Sequence, residues 1–360
     1  MIDMRSDTVT RPDAEMRRAM AEAEVGDDVW GEDPTVARLE ADAAAVLGFE
    51  ASLFVPSGTM GNQIALHLHS RPGREVICEA SAHIYEFEMG AMAAISGLVP
   101  RHIPTVDGLI SPEDVAGAFR PTTGFATPTG MLALENSHNV AGGTVYDRPR
   151  LDALLAEARR LKLPVHLDGA RIFNAAEALG VPAAELARGF DSVMFCLSKG
   201  LGAPVGSMLC GSRDFIAAGK NVRKMLGGGM RQSGILAAAG LLALHKGPGR
   251  LAADHAHARR LAEVVVELPG VELDLSRVQT NILVFRVGAG PAGPLDDAPD
   301  SPAAKFLSRL KERGLLASQF GPDRVRLVTH RDVGPADVDR AVEVLRGMGK
   351  QNVMAGELSA

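Results

Sequence analysis

Hydrophobic positions along the chain alternate between short apolar runs and stretches with helical spacing. The short runs end in Gly, Ser, Asp or Asn, as expected for strands that are covered on both faces. They are "ASLFVPSG" (51–58), "REVICEA" (74–80), "GMLALENS" (130–137), "LPVHLDGA" (163–170) and "FDSVMFCLSKG" (190–200). This alternation predicts an α/β fold with a mostly parallel, doubly wound sheet.

Two of the stretches with helical spacing are clear enough to be given bounds. The first begins with Asp33 as the N-cap and Pro34 at the first helical position, the residue types that helix starts favour. The second covers 148–162, between two of the predicted strands. The apolar face is predicted to consist of Val36, Leu39, Ala43 and Val46 in the first helix and of Leu151, Leu154, Leu155, Ala158 and Leu161 in the second.

A break at Gly247, Pro248 and Gly249 divides the chain. We predict an N-terminal arm and large cofactor-binding domain over 1–247, and a small C-terminal α/β domain over 248–360. The second domain is predicted to hold a long helix from Leu251, strands at 280–287 and 323–329, a helix over 335–348, and an exposed Gly/Pro/Asp-rich loop at 287–304.

Composition limits the partners. The 38 basic and 44 acidic residues form no long block of one sign, which disfavours nucleic acid and anionic membrane surfaces as partners. No apolar run approaches the roughly 20 residues that span a bilayer, so we expect a cytoplasmic protein with a small-molecule partner. Cys78, Cys196 and Cys210 lack CxxC spacing; we expect small core residues, no disulfide framework and no metal site.

Chemistry-bearing residues cluster where the predicted strands end, the edge at which doubly wound sheets bind ligands. Ser57, Gly58 and Thr59 join a strand to a helix, and glycine lets backbone N–H groups approach a phosphate at a helix N-terminus. The alternative is an ordinary glycine turn. Asp168 ends another strand, where a simple capping role is the alternative. His83 is a further candidate, with a structural histidine as the alternative.

Lys199 follows the apolar run at 190–200. Desolvation lowers the pKa of a lysine amine and makes it nucleophilic toward an aldehyde, which pyridoxal phosphate supplies. Asp168 is then the carboxylate beside the pyridine nitrogen, His83 covers the ring, and Arg171 binds the substrate carboxylate as a fork. The alternative for Lys199 is a surface lysine whose stem alone is buried.

Nine stretches resemble the L-threonine aldolases, which have the aspartate-aminotransferase type of pyridoxal phosphate fold (fold type I). They occur in the family's order over nearly the whole chain: "RSDTVTRP" (5–12), "GDDVWGEDPT" (26–35), "PSGTMGN" (56–62), "AHIYEFE" (82–88), "LENSHN" (134–139), "HLDGARIFNA" (166–175), "LSKGLGAPVGS" (197–207), "KMLGGGMRQSG" (224–234) and "VRLVTHRDV" (325–333).

The resemblance implies a role for each matching residue. Lys199 carries the Schiff base, Asp168 pairs with the pyridine nitrogen, and His83 stacks on the ring and is the candidate base. The cofactor phosphate is implied to bind to Ser57, Gly58 and Thr59. The substrate carboxylate is implied to bind to Ser6, Arg171 and Arg326. Lys224 and Arg231 are implied to reach the cofactor of a neighbouring subunit. It therefore implies a homo-oligomer, a dimer at least and commonly a tetramer, with active sites at the subunit interface.

Two positions depart from the family pattern: Trp30 replaces the usual tyrosine, and Phe125 stands where many members have a histidine. We predict that Phe125 contacts the substrate and favours bulky β-substituents. The implied activity is that of a carbon–carbon lyase, which cleaves L-threonine, L-allo-threonine or another β-hydroxy-α-amino acid to glycine and an aldehyde. The alternatives are another enzyme of the same fold, a β-eliminating lyase or an aminotransferase, and a non-enzymatic module that binds a phosphate ligand.

Overall fold

The computed structural model describes residues 1–288 and 299–357, with side chains described up to residue 348. Its strands are β1 Ile2–Asp3, β2 Ala51–Val55, β3 Glu75–Glu79, β4 Val99–Ile103, β5 Thr129–Glu135, β6 Val165–Asp168, β7 Ser192–Cys196, β8 Ser207–Gly211, β9 Val271–Glu272, β10 Ile282–Val287, β11 Leu315–Leu316, β12 Ser318–Gln319 and β13 Arg324–Val328.

The α-helices are α1 Ala14–Ala21, α2 Pro34–Leu47, α3 Gly58–His69, α4 His83–Glu86, α5 Ala91–Ser96, α6 Pro112–Ala118, α7 Arg148–Leu161, α8 Ile172–Leu179, α9 Ala183–Ala187, α10 Arg213–Met225, α11 Gly234–Lys246, α12 Leu251–Val265, α13 Pro302–Glu312 and α14 Pro335–Glu357. Short 3-10 helices cover Asp7–Val9, Asp28–Trp30, Pro248–Arg250 and Leu275–Arg277.

The large sheet has seven strands in the order β2-β8-β7-β6-β5-β3-β4. Its strands are parallel except β8, which runs antiparallel to both β2 and β7. The carboxyl ends of β2, β3, β5, β6 and β7 therefore lie along one edge of this sheet. The predicted α/β fold is confirmed.

The chain forms two compact units: 11–138 with 145–248, and 1–10 with 139–144 and 249–360. The second unit holds the four-stranded sheet β12-β13-β10-β9, which is antiparallel, and the parallel pair of β1 with β11. The predicted division put 1–10 and 139–144 with the large domain. Residues 1–10 belong to the smaller unit because Ile2 and Asp3 pair with Leu315 and Leu316, and the 139–144 segment joins it through contacts such as the Thr280 hydroxyl donating to the Gly143 carbonyl.

The predicted strands and helices are present, with three differences in detail. Helix α2 has Asp33 as its N-cap, but Val46 is exposed and Leu47 packs into the core instead. The sequence analysis missed β4, whose residues are partly exposed, and β8, which lies in a short glycine-bounded run. Most of the predicted loop at 287–304 lies outside the described residues.

Two further expectations concern the cysteines and the helices. Cys78, Cys196 and Cys210 are buried and unpaired with one another, as small core residues should be. Within the described part of the chain, no helix combines the length and the apolar character that crossing a membrane requires.

Candidate active site

Helix α3 begins at the carboxyl end of β2. The Ser57 side chain caps it by accepting a hydrogen bond from the Met60 N–H. Gly58 packs against β7 so closely that a Cβ there would lie 3.0 Å from the Cys196 sulfur. The first N–H groups of an α-helix lack intrahelical acceptors and favour anions, so Gly58 and Thr59 present donors at this edge of the sheet.

Asp168 is the last residue of β6 and is almost fully buried. Its Oδ1 accepts the Ala170 N–H at 3.0 Å, and its Oδ2 accepts an N–H of the Asn62 side chain at 2.7 Å. Asn62 lies on α3, one turn after the capped N-terminus. The carboxylate that the sequence singled out is therefore held by two donors at the predicted edge.

His83 begins the short helix α4, which follows β3. Its backbone N–H donates to Glu135 at the end of β5, and its Nδ1 lies 3.0 Å from Glu88 Oε1. Burial alone would lower the pKa of His83, but the hydrogen bond to Glu88 and the carboxylates of Asp168 and Glu135 raise it overall. The imidazole is thus a stronger base than an ordinary histidine.

Lys199 lies on the turn that links β7 to β8 and is half-buried. Asp168 pairs with Met194 on the neighbouring strand, so Lys199 and Asp168 belong to the same edge. The Lys199 charge opposes the increase in the pKa of His83. Arg171, also buried, is the N-cap residue of α8, directly after the β6 turn.

The three side chains His83, Glu88 and Asp168 converge. One ligand atom from each lies within 4.8 Å of the other two. These donor types also occur in metal sites, but here the Asn62 amide nitrogen donates to both Glu88 Oε1 and Asp168 Oδ2. The two amide hydrogens lie between the carboxylates of Glu88 and Asp168 and reduce the electrostatic repulsion between them, which is what a bound cation would do in a metal site.

Two of the predicted substrate-binding residues belong to the smaller unit. Ser6 is the N-cap of a 3-10 helix, and its Oγ accepts from Thr8. Arg326 lies on β13 and donates to Asn139 Oδ1 at 2.9 Å and to the Arg5 carbonyl at 3.1 Å. Its guanidinium also stacks on Phe320, 4.4 Å from the ring centre. Both residues are held in fixed orientations within their own unit.

Three further predicted residues lie at the surface of the large unit. Arg231 forms an ion pair with Asp27 at 2.8 Å, and Lys224 is exposed at the end of α10. Phe125 is 98% exposed. Its loop leads into the amino end of β5, opposite the edge that carries Asp168, so the ring contacts no site residue of its own chain. The Phe125 ring is therefore not part of the hydrophobic core of its own chain.

The sequence analysis missed Asn62, Gln63, Glu88 and His166, which complete the buried polar cluster. Gln63 donates to Glu88 Oε2 at 2.6 Å, and His166 on β6 contacts Asn62 Oδ1 at 3.0 Å. A signal was present: the Asn62–Gln63 pair interrupts an apolar helix, and His166 interrupts an apolar strand. Buried polar groups in such runs need partners, and those partners are one another.

Comparison with known proteins places these features in a family. The model of the beta-eliminating lyase family matches residues 3–287. The chain belongs to that family. It is 42% identical to low-specificity L-threonine aldolase 1 of Arabidopsis thaliana over 94% of this chain and 93% of that one. It is 44% identical to the low specificity L-threonine aldolase of Escherichia coli strain K12, covering 92% and 95% of the two chains.

Membership of this lyase family agrees with solved structures, which show the same fold. A threonine aldolase of Leishmania major superposes with a TM-score of 0.79 at 22% identity, covering 97% of this chain and 99% of that one. An SPT structure solved with PLP superposes with a TM-score of 0.73 at 17% identity over 97% and 88% of the chains. The predicted resemblance to L-threonine aldolases, and with it the lyase class, is confirmed.

Proposed function

We propose that this protein is a pyridoxal phosphate-dependent aldolase. It cleaves the Cα–Cβ bond of L-threonine, L-allo-threonine or a related β-hydroxy-α-amino acid such as phenylserine, and releases glycine and an aldehyde. The observation that carries the proposal is the convergence of a buried carboxylate, Asp168, with the raised-pKa imidazole of His83 at the strand end that also leads to Lys199.

The described residues fit pyridoxal phosphate in three respects. The N-terminus of α3 at Ser57, Gly58 and Thr59 offers donors to a phosphate, Asp168 offers an acceptor to a protonated pyridine nitrogen, and Lys199 offers an amine to the aldehyde. When bound, the cofactor supplies a protonated ring that stabilises negative charge at Cα. A glycine at 58 suits this cradle, because a side chain would push α3 away from β7.

His83 has the chemistry of the base for the β-hydroxyl proton. A carboxylate only accepts hydrogen bonds, so the Nδ1 that faces Glu88 carries the hydrogen and the neutral ring keeps a lone pair on Nε2. Nε2 takes the hydroxyl proton as the Cα–Cβ bond breaks. Arg171, Ser6 and Arg326 are proposed to bind the substrate carboxylate, for which the arginines supply planar forks.

The proposal includes a homo-oligomer, a dimer at least and a tetramer by family resemblance, in the cytoplasm. Large apolar side chains at the surface of one chain support an interface: Phe125 is 98%, Met89 94% and Trp30 76% exposed. Lys224 and Arg231 are proposed to reach the cofactor of a neighbouring subunit. Because the Phe125 loop lies at the far edge of its own sheet, its contact with a substrate is proposed to occur in another subunit.

The test is turnover with identified products. Purified protein is supplied with pyridoxal phosphate and incubated with L-threonine, L-allo-threonine and phenylserine, and glycine and the aldehydes are quantified. We expect equal amounts of glycine and aldehyde, and loss of both in Lys199→Ala but not in Lys246→Ala, which removes an exposed lysine paired with Glu15. Turnover that persists in Lys199→Ala would contradict the proposal, as would a protein that does not bind the cofactor and proves to be only a phosphate-binding module.

The family description favours one second candidate, β-elimination. A β-eliminating lyase acting on L-serine produces pyruvate and ammonia instead of glycine and an aldehyde. The same incubations, with L-serine added to the panel, are assayed for 2-oxo acids: β-elimination gives 2-oxobutyrate from threonine, phenylpyruvate from phenylserine and pyruvate from serine. Added keto acids expose an aminotransferase. Glycine formed without a 2-oxo acid supports the aldolase.

A further inference from the structure

Asn62 occupies the centre of the buried polar cluster. Its side chain has no exposed surface, and it makes a hydrogen bond at every face. The amide nitrogen donates to Glu88 Oε1 at 2.9 Å and to Asp168 Oδ2 at 2.7 Å, and the amide oxygen lies 3.0 Å from His166 Nε2. One side chain thus connects the carboxylate proposed for the cofactor ring with the carboxylate that holds His83.

The orientation of this amide is determined by its neighbours. Carboxylates only accept hydrogen bonds, so the nitrogen must face Glu88 and Asp168, and the oxygen must then accept from His166 Nε2–H. Neutral His166 has its lone pair on Nδ1, which accepts from the Ser192 hydroxyl at 2.8 Å. The hydroxyl oxygen in turn accepts from His69 Nε2–H at 2.7 Å.

Both histidines of this arm stay neutral. Burial lowers the pKa of His166 to about 3 and that of His69 to about 4. Each therefore has one donor and one acceptor nitrogen at neutral pH, and the donors along the arm all point toward Asn62. This alignment polarises the amide, so that its N–H groups are better donors to the carboxylates.

We propose that Asn62 is a positioning residue for the cofactor: it fixes the orientation of the Asp168 carboxylate and links it to the Glu88–His83 pair, and the arm of His166, Ser192 and His69 fixes Asn62. Asp168 has only one other hydrogen-bond donor among the described residues, the Ala170 N–H on Oδ1. Without Asn62, this buried carboxylate loses the hydrogen bond on Oδ2 and with it one of the two donors that fix its orientation.

The inference rests on the proposed cofactor, and its test measures binding instead of turnover. The apoprotein is titrated with pyridoxal phosphate and with its 1-deaza analogue, in which a C–H replaces the ring nitrogen. A protein that recognises the ring N–H through the Asp168 carboxylate binds pyridoxal phosphate more tightly than the analogue. We expect Asn62→Ala to reduce this preference about tenfold, which corresponds to about 1.4 kcal/mol.

The neighbouring amide is a matched control. Gln63 is equally buried and donates to Glu88, but it does not contact Asp168. Gln63→Ala should therefore keep the wild-type preference between the two ligands. A variant that merely loosens the fold weakens the binding of both ligands equally, so the preference between them is unchanged. An unchanged preference in Asn62→Ala overturns the inference.

Ser192→Ala provides an independent variant in case Asn62→Ala does not fold. It leaves Asn62 and Asp168 in place but removes the donor to His166 Nδ1. The His166 ring can then carry its hydrogen on Nδ1 instead of Nε2. The Nε2 lone pair would then face the Asn62 amide oxygen, which is also an acceptor, and the hydrogen bond between them would be lost. We expect the same loss of preference, about two- to fivefold. If wild-type protein binds neither ligand, the proposed function fails; if it prefers pyridoxal phosphate and Ser192→Ala and Asn62→Ala do too, only the positioning role fails.

Discussion

Glu88 receives three hydrogen bonds, from Asn62, Gln63 and His83. Burial raises the pKa of this carboxyl, and the bonds from His83 and Asn62 oppose that increase. A carboxylate with no exposed side-chain surface is costly unless donors surround it. The Glu88 side chain therefore links the basicity of His83 to the hydrogen bonds supplied by α3.

Replacing Glu88 with glutamine should move the acid limit of activity. The hydrogen bond to the carboxylate raises the pKa of His83, so its loss lowers that pKa and keeps the imidazole unprotonated to lower pH. We expect the acid limb of the kcat/KM profile to shift to lower pH in Glu88→Gln. Glu86→Gln, on the exposed face of α4, should leave the profile in place; a shift in both variants, or in neither, contradicts the role of Glu88.

Two helical glycines should respond in opposite directions to alanine. A Cβ on Gly61 of α3 would lie 2.7 Å from Met194 Cγ, whereas a Cβ on Gly117 of α6 would meet nothing within 4 Å. Overpacking should cost Gly61→Ala about 1–3 kcal/mol in the free energy of unfolding. Gly117→Ala should gain about 0.5–1 kcal/mol from helix propensity alone. Urea denaturation measures both, and a Gly61→Ala protein as stable as Gly117→Ala would refute the close contact.

At the scale of elements, Asp33 illustrates how much one predicted cap can hold. Its Oδ1 caps α2 by accepting from Thr35 and Val36, as the sequence predicts. Its Oδ2 also accepts the Gly234 N–H at 2.8 Å and the Gly26 N–H at 3.3 Å. The same carboxylate therefore fastens the start of α11 and a loop to the start of α2, contacts that no local pattern in the sequence contains.

Asp33→Ala should lower the free energy of unfolding by more than the loss of an ordinary helix cap does. Four backbone N–H groups lose their acceptor, two of them buried and two partly buried, and we expect a loss of about 3 kcal/mol or more in the free energy of unfolding. Asp147 caps α7 through one bond, to the Arg150 N–H, at an exposed position. Asp147→Ala should cost about 1 kcal/mol. Equal losses in the two variants would show that the bonds to α11 and the loop add nothing.

The strands that were predicted, like the Asp33 cap, can be recognised from a short stretch of sequence. Continuous apolar runs identify β2, β3, β5, β6 and β7, because both faces of these strands are covered. Strand β4 has largely exposed residues at the edge of the sheet, and β8 reverses direction through contacts with β2 and β7. Edge position and strand direction depend on distant partners, so no window of the sequence shows them.

The candidate site follows the same rule. Asp168 was predictable as a candidate because it ends a strand, and His83 and Lys199 because each follows one. The polar pair at 62–63 is visible in the sequence, but its contact with Glu88 is not, because that contact joins α3 to a residue after α4. The exposure of Phe125 was not predictable either, since it depends on which edge of the sheet its loop joins.

At the scale of the whole molecule, histidines whose pKa is lowered by partial or full burial should make the protein sensitive to acid. Burial lowers the pKa of His69 and His255 to about 4 and that of His166 to about 3. Unfolded histidines titrate near pH 6.5, so between that pH and about 4 the unfolded chain binds protons that the folded chain does not. The stabilising contribution of each group is complete above pH 6.5 and is lost as the pH falls.

We expect His255→Gln to reduce the loss of stability between pH 7 and pH 5. The variant removes one group whose protonation favours unfolding, so its thermal midpoint should fall less than that of the wild-type protein over this interval. His102→Gln removes an exposed histidine, and its thermal midpoint should fall as much as that of the wild-type protein. Thermal scans of the three proteins at pH 5, 6 and 7 measure the differences; parallel curves for wild type and His255→Gln would refute the assignment.

The membership of residues 1–10 in the same unit as 249–360 has a consequence for synthesis on the ribosome. Strand β1 leaves the ribosome about 310 residues before its partner β11, because Ile2 and Asp3 pair with Leu315 and Leu316. At about 5–20 residues per second, β1 waits on the order of 15 to 60 seconds. The large unit, complete by residue 248, can fold meanwhile. Residues 1–10 can therefore complete their unit only after β11 has been made, and β1 lacks its partner strand throughout that interval.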